Sequence, residues 1–323
     1  MEPEDYIQNR LSALGKENQA EKIDSEKELV DFIYKSIMSK KFRKYSVNLE
    51  YQKEIYSAIE LNVKNSQPIK ITLVFGGYKL WRLDESPEVD WAELFSMIYY
   101  ANWIKPVADN YKPGVWFDFY SDDIILRTIN NIPEKDTEDY CESFQKLLIF
   151  LKSYIPKNIT MTLNRVGKQY KTYNDFQTEL NTKIDELRKQ NLGLPNLTPE
   201  QISTIELNVK LKPGQDKNPQ WREKIALIHD SYMIISKRRP YYRTPDKIVA
   251  ITRPVKNTIA VGTTKSSVVK FWVGVGALKK QDQSWIETIL SPEQLKNTKF
   301  SWQETNIKNL NLKNFHKIRI IEN

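Results

Sequence analysis

Three short runs rich in β-branched and aromatic residues, Ile69–Phe75, Val115–Tyr120 and Asn158–Leu163, are separated by stretches long enough, and periodic enough in apolar residues, for helices. This alternation constrains the chain more than any other feature. Antiparallel neighbours can be joined by a two-residue turn, whereas parallel strands need a crossover of a dozen or more residues, which a helix supplies. Strand, helix, strand at this spacing therefore predicts crossover units and a mostly parallel sheet flanked by helices. The punctuation fits: Gly76-Gly77 closes the first run, Tyr111-Lys112-Pro113-Gly114 turns into the second, and Ser121-Asp122-Asp123 ends it.

Helices are predicted over Glu26–Ser39, with Leu29, Phe32, Ile33 and Ile37 on one face, and over Leu49–Val63, broken by Asn65, Ser66 and Pro68. Another begins with Ser86 as N-cap and Pro87 at its first position, carries Leu94, Phe95, Ile98 and Tyr99, and should kink or stop at Pro106. Two more cover about Asp136–Tyr154 and Tyr173–Gln190. The fold class is thus α/β, a Rossmann-like mostly parallel sheet with an additional C-terminal α+β portion. Residues 1–25 read as a loosely attached polar arm and 26–192 as the core. The Gly193, Pro195 and Pro199 stretch marks the boundary to 193–323, which should pack on the core. In that portion a helix over Trp221–Ser236 and strands at Lys247–Thr252, Thr258–Val261 and Val268–Val275 are expected.

With 323 residues and eight Trp, seventeen Tyr and twelve Phe, the chain can build a large core without staples. The single cysteine, Cys141, lies among Tyr140, Phe144, Leu147, Leu148 and Leu151 and reads as a core residue. The polar start and the lack of any membrane-length apolar run point to the cytoplasm and no membrane partner. A net charge of +8 arises from 49 basic and 41 acidic residues that are interspersed, the pattern of a solvated surface. The dense exception is Lys237, Arg238, Arg239 and Arg243 with Tyr241 and Tyr242, a patch suited to an anionic small molecule or to nucleic acid.

Ligands of open parallel sheets bind beyond the carboxyl ends of the strands. That rule selects Phe75–Arg82, where Gly76 and Gly77 allow close approach and Tyr78, Lys79 and Arg82 can meet a phosphate or carboxylate. It also selects Asp118–Asp123. Strand alternation puts Asp118, Tyr120 and Asp122 on one side and Asp123 on the other, next to Ser121. Such carboxylates can act as a base, orient an amine or hold a cation, or simply form a turn. Arg165 follows the third strand at the same edge and suits a carboxylate or phosphate clamp. Lys265 and Ser266 lie in Val261–Ser267, a turn that lacks P-loop spacing but can contact an anion. His229 sits in an apolar segment and reads as a satisfied core group, while His316 lies in the polar tail. Neither spacing nor partners suggest zinc or a Ser-His-Asp triad, and no metal or cofactor is expected.

From about Tyr51 to Leu151 the order of features resembles the isonitrile (isocyanide) synthases of the pyoverdine/dityrosine biosynthesis family. The residues that carry the resemblance are Pro68-Ile69 through Phe75 to Lys79, then Pro87, Asp90, Ala92 and Glu93, then Tyr111-Lys112-Pro113-Gly114, Ser121-Asp122 and Tyr140. The glycine pair before Lys79 and the second acid Asp123 depart from the family pattern. The resemblance implies a Rossmann-like fold and a cytoplasmic transferase or lyase of secondary metabolism. It implies an enzyme that converts an amino acid such as tyrosine or tryptophan to an isonitrile with a carbon from ribulose 5-phosphate. Lys79, Arg82 and Arg165 would then serve anions, and Asp122 the amine or proton transfer. Two other readings stay open on the residues alone: a Mg²⁺-dependent nucleotidyl- or glycosyl-transferase using Asp118, Asp122 or Asp123, and a nucleic-acid-binding protein using Lys237–Arg243.

Overall fold

The structure, a computed structural model, describes residues 1–16, 23–76, 87–189, 199, 209, 218–236 and 238–322. Helices α1 (Pro3–Leu14), α2 (Glu26–Ile37) and α3 (Leu49–Lys64) lead into strand β1 (Ile69–Phe75). Then come α4 (Trp91–Asn110), β2 (Val115–Ser121), α5 (Asp123–Asn130), α6 (Glu134–Leu151), β3 (Ile159–Arg165) and α7 (Tyr173–Lys189). Local signals set these bounds. Ser25 and Asn48 accept the Glu28 and Tyr51 backbone N–H groups at 3.2 and 2.7 Å and start α2 and α3. Gly114, at φ +74°, turns the chain into β2 where any Cβ would lie 1.9 Å from the Asn158 carbonyl oxygen.

Beyond residue 218 the chain forms α8 (Pro219–Ile235), α9 (Arg238–Tyr242), β4 (Lys247–Ile251) and β5 (Ile259–Ala260). It ends with β6 (Val275–Gln281), β7 (Ser284–Leu290), α10 (Pro292–Asn297), β8 (Phe300–Glu304) and β9 (Lys317–Ile321). The first sheet has the order β3-β2-β1-β4-β5 and is parallel throughout. Its alternation divides two cores. Ile69, Ile71, Leu73 and Phe75, with Val115, Phe117 and Phe119, face one core with α3, α4 and α6. Val74, Tyr120 and Val249 face a second core that contains Phe176, Leu180 and Ile184 of α7 and Tyr232 of α8. The second sheet, β7-β6-β9-β8, is mixed. It packs on α4, whose first turn lies so close to Gly276 that a Cβ there would sit 2.4 Å from the Trp91 Cβ.

Several expectations shift. Residues 3–14 are no arm: Ile7, Leu11 and Leu14 recur at helical spacing and are buried, and Arg10 pairs with Glu287 at 2.9 Å. The helix after β1 is capped by Asp90, four residues past Ser86. Asp90 accepts from Ala92 N–H at 2.6 Å while its own N–H donates to Glu93 at 2.9 Å, a capping box. That helix runs through Pro106 to Asn110, buried on nearly every side between the two sheets, so packing outweighs the missing N–H. β4 and β5 complete the parallel sheet, so the core is not confined to residues before 192. The strand expected at Val268–Val275 starts only at Val275. Phe271 and Trp272 ahead of it instead wedge against Phe75, with ring centroids 5.5 Å away.

Candidate active site at the strand ends

Register places the carboxyl ends of the first three strands level: Phe75 pairs with Ser121, and Ser121 with Arg165. In the order β3-β2-β1-β4-β5 the connections reverse direction between β1 and β4, so the crevice rule places a ligand beyond Phe75 and Ile251. Asp122 stands at this edge. Its N–H donates to the Phe75 carbonyl at 2.8 Å, and the Tyr232 hydroxyl of α8 donates to its Oδ1 at 2.9 Å. Gly76 fits because a Cβ there would lie 3.1 Å from the Asp122 Cβ and 2.7 Å from Leu126. Ser121, fully buried, ends β2 beside it. Tyr78, Lys79 and Arg82 lie outside the described residues.

Asp123 opens α5 and turns the other way. Its Oδ2 accepts from Arg165 Nε at 2.8 Å and its Oδ1 from the Gly167 N–H at 2.8 Å. Gly167 leaves room for this contact, since a Cβ would lie 2.8 Å from Oδ2. Burial pushes the Asp123 carboxyl up, against the downward pull of Arg165 and the Gly167 N–H. The remaining Arg165 nitrogens, Nη1 and Nη2, meet the two oxygens of Glu138 at 2.8 Å each, and that hydrogen-bonded guanidinium holds Glu138 below the usual carboxylate range. Arg165, expected as a clamp for a ligand, thus clamps two of the protein's own carboxylates and ties β3 to α5 and α6. With Glu138, Gln145, Asn164 and Lys168 it also lines a groove of about 220 Å³ in which Asp122 has no part.

Asp118 is sealed in the sheet. Thr162 and Asn164 donate to its Oδ1 at 2.9 and 2.6 Å, and the Tyr241 hydroxyl to its Oδ2 at 2.8 Å. Tyr241 stacks on Tyr120 with centroids 4.4 Å apart and planes 11° from parallel. Burial drives both phenols well above their ordinary value. The three aspartates therefore serve different partners, and among the described residues no group of three or more His, Cys, Asp or Glu side chains could hold a metal ion.

Lys265 is exposed on a loop that Ser266 and Ser267 fasten to the β7 carbonyls of Glu287 and Ile289 at 2.7 and 3.3 Å. His229 is 42% exposed beside Asp230 on α8, so its apolar neighbours in sequence do not bury it. Cys141 is buried among the expected aromatic and aliphatic residues of α6. Tyr140, also buried, donates to Glu93 Oε1 at 3.1 Å and so ties the α4 capping box to α6. The sequence reading missed Tyr232, Glu138 and Gly167. Gly167 two residues past a strand end was a readable signal, whereas Tyr232 reaches Asp122 across 110 residues and left none.

No protein-family model and no curated protein matches the chain. Among solved structures, the crystal structure of the PvcA protein from Pseudomonas aeruginosa matches with a TM-score of 0.63 at 12% identity, covering 91% of this chain and all of that one. The chain thus shares the fold of PvcA over most of its length.

Proposed function

We propose that the protein is an isonitrile-synthase-like biosynthetic enzyme that joins an amino-acid-like substrate to a sugar phosphate of the ribulose 5-phosphate type. One coincidence carries the reading. The motif order from Tyr51 to Leu151 resembles the isonitrile synthases, and the fold is distantly similar to that of PvcA, a protein of that family. The site chemistry agrees with it. Asp122 stands at the strand ends with its backbone N–H fixed on the Phe75 carbonyl and its carboxylate held by the Tyr232 phenol, where it can hold an amine or take its proton. Lys79 and Arg82, on the segment that follows β1, supply cations for the phosphate and the substrate carboxylate. Arg165 acts by positioning, because its guanidinium is already engaged.

The carboxylate-metal alternative gains no support from the arrangement, since Asp118 and Asp123 are each spent on internal donors. The test is to incubate the purified chain with L-tyrosine or L-tryptophan and ribulose 5-phosphate and follow the isonitrile product by mass. Product that depends on both substrates is the expected result. Failure with every aromatic amino acid tried, under conditions where the protein remains folded, counts against the reading.

A further inference from the structure

Three segments far apart in sequence meet on one surface and bring cations with them. Residues 40–48 carry Lys40, Lys41, Arg43 and Lys44, and they are stitched to the β4–β5 region. Lys44 N–H donates to the Ala260 carbonyl at 2.8 Å, Gly262 N–H to the Phe42 carbonyl at 3.0 Å, and Asn48 to Asn257 Oδ1 at 3.2 Å. Arg43 further forms a bridge with Val261. The loop between β4 and β5 adds Lys256, and Arg243 arrives from beyond α9 by donating to the Asn257 carbonyl. Arg43 likewise spends its guanidinium on carbonyls, those of Met38 and Tyr45. Among the described residues none of these six cations has an ion-pair partner.

The same surface exposes apolar side chains. Leu49 at the start of α3 is 76% exposed, Tyr45 46% and Val255 41%. Asn48 and Asn257, bonded to each other, hold the chain segments of all three together. Isolated exposed apolar residues need no explanation, but three on chain segments that also carry cations without an ion-pair partner do. A nucleic acid would use cations with aromatic stacking platforms. Here the aromatics of the basic segment face inward: Tyr241 stacks on Tyr120 and Tyr242 is buried. What remains outward is one aromatic, Tyr45, beside the more exposed Leu49 and Val255. Exposed apolar side chains on segments that carry cations are complementary to a bilayer of anionic lipid, which offers both acyl chains and negative headgroups.

We propose that this face docks peripherally on an anionic lipid surface, independently of the reaction proposed above. The described helices include none long and apolar enough to cross a membrane, so the contact is superficial. The test is cosedimentation of the full chain with vesicles of phosphatidylcholine alone or mixed with phosphatidylserine. Binding is expected to the mixed vesicles only and should weaken as salt rises. The pair Lys40→Gln and Lys41→Gln should lower the partition coefficient roughly 30-fold, at about fivefold per cation. The pair Leu49→Ser and Val255→Ser should lower it about tenfold or more by removing apolar insertion while leaving the salt dependence in place. All four positions are at the surface, and melting temperatures equal to the parent's confirm folded variants. No sedimentation with the mixed vesicles, or equal sedimentation with both kinds, overturns the proposal. So does binding that the serine pair leaves untouched, and in that case retention of an RNA oligonucleotide by the same cations would assign the face to nucleic acid.

Discussion

Replacing Arg165 by Met keeps most of the side-chain volume and removes the charge that Asp123 and Glu138 share. The Asp123 side chain is 3% exposed and that of Arg165 is 8%, so the pair is buried, and removing one partner leaves a buried carboxylate held by the Gly167 and Ile124 N–H groups with no countercharge. Breaking a buried pair in this way costs about 3–5 kcal/mol. Glu138, 37% exposed, recovers much of its lost interaction from water and adds little. The pH dependence follows from the shifts. The Asp123 value is raised in the folded parent, so its contribution to stability is larger at acid pH and falls as pH rises between the unfolded and folded values. Without Arg165 the folded value rises further, which widens that loss at neutral pH. Glu138 is depressed, so the stability it contributes in the parent is present above its unfolded value and disappears as pH falls through the folded one. Both effects make the penalty of Arg165→Met largest near neutrality and smaller in acid. Urea unfolding of parent and variant at pH 7.5 and pH 4.5 measures it. A penalty under about 1 kcal/mol, or one that does not change with pH, would refute the account of this cluster.

Tyr232→Phe removes a hydroxyl and keeps the ring. If it acts through Asp122, turnover should fall about tenfold or more with little change in KM, and adding Tyr232→Phe to Asp122→Asn should cost nothing further; additive losses in steady-state kinetics would separate the two residues. Gly276→Ala should destabilise the protein by about 1–3 kcal/mol in a denaturant melt, because the new methyl meets the Trp91 Cβ and the Ala92 backbone nitrogen rather than a movable side-chain end. Lys79→Ala should weaken sugar-phosphate binding by about 1.5–3 kcal/mol, the range of a charge-assisted hydrogen bond, and calorimetry on the folded variant decides the matter.

The parallel sheet was legible because each of its first three strands carries its own run of β-branched or aromatic residues, and because the crossover rule converts their spacing into topology. Asp118, Tyr120 and Asp122 share the side that alternation gave them: the first two meet Tyr241, and Asp122 meets Tyr232 of α8. What the sequence hid are long-range partners. Arg165 was readable as a cation at a strand end, but not as one already claimed by Asp123 and Glu138, because that depends on where α5 and α6 dock. The start of α4 was misplaced because Ser86-Pro87 and Asp90-Trp91-Ala92-Glu93 both have capping chemistry, and the buried bond from Tyr140 to Glu93 lies at the second. The four-stranded sheet was missed for a simpler reason. Its strands, such as Ser284–Leu290 and Phe300–Glu304, mix charged and apolar residues on a sheet that is exposed on one side.

Under the proposed function, Asp122 does chemistry at the strand ends rather than shaping a turn. The direct measurement compares the parent with Asp122→Asn in two readings, the melting temperature and the rate of isonitrile formation from L-tyrosine or L-tryptophan with ribulose 5-phosphate. Asn preserves the shape and can still accept from Tyr232 but loses the charge and the base. A catalytic Asp122 gives a variant that melts within a few degrees of the parent and turns over at least about a hundredfold more slowly, the lower end of what a general base contributes. A variant that melts much earlier while its folded fraction keeps the parent's rate would make Asp122 a structural residue and remove it from the chemistry.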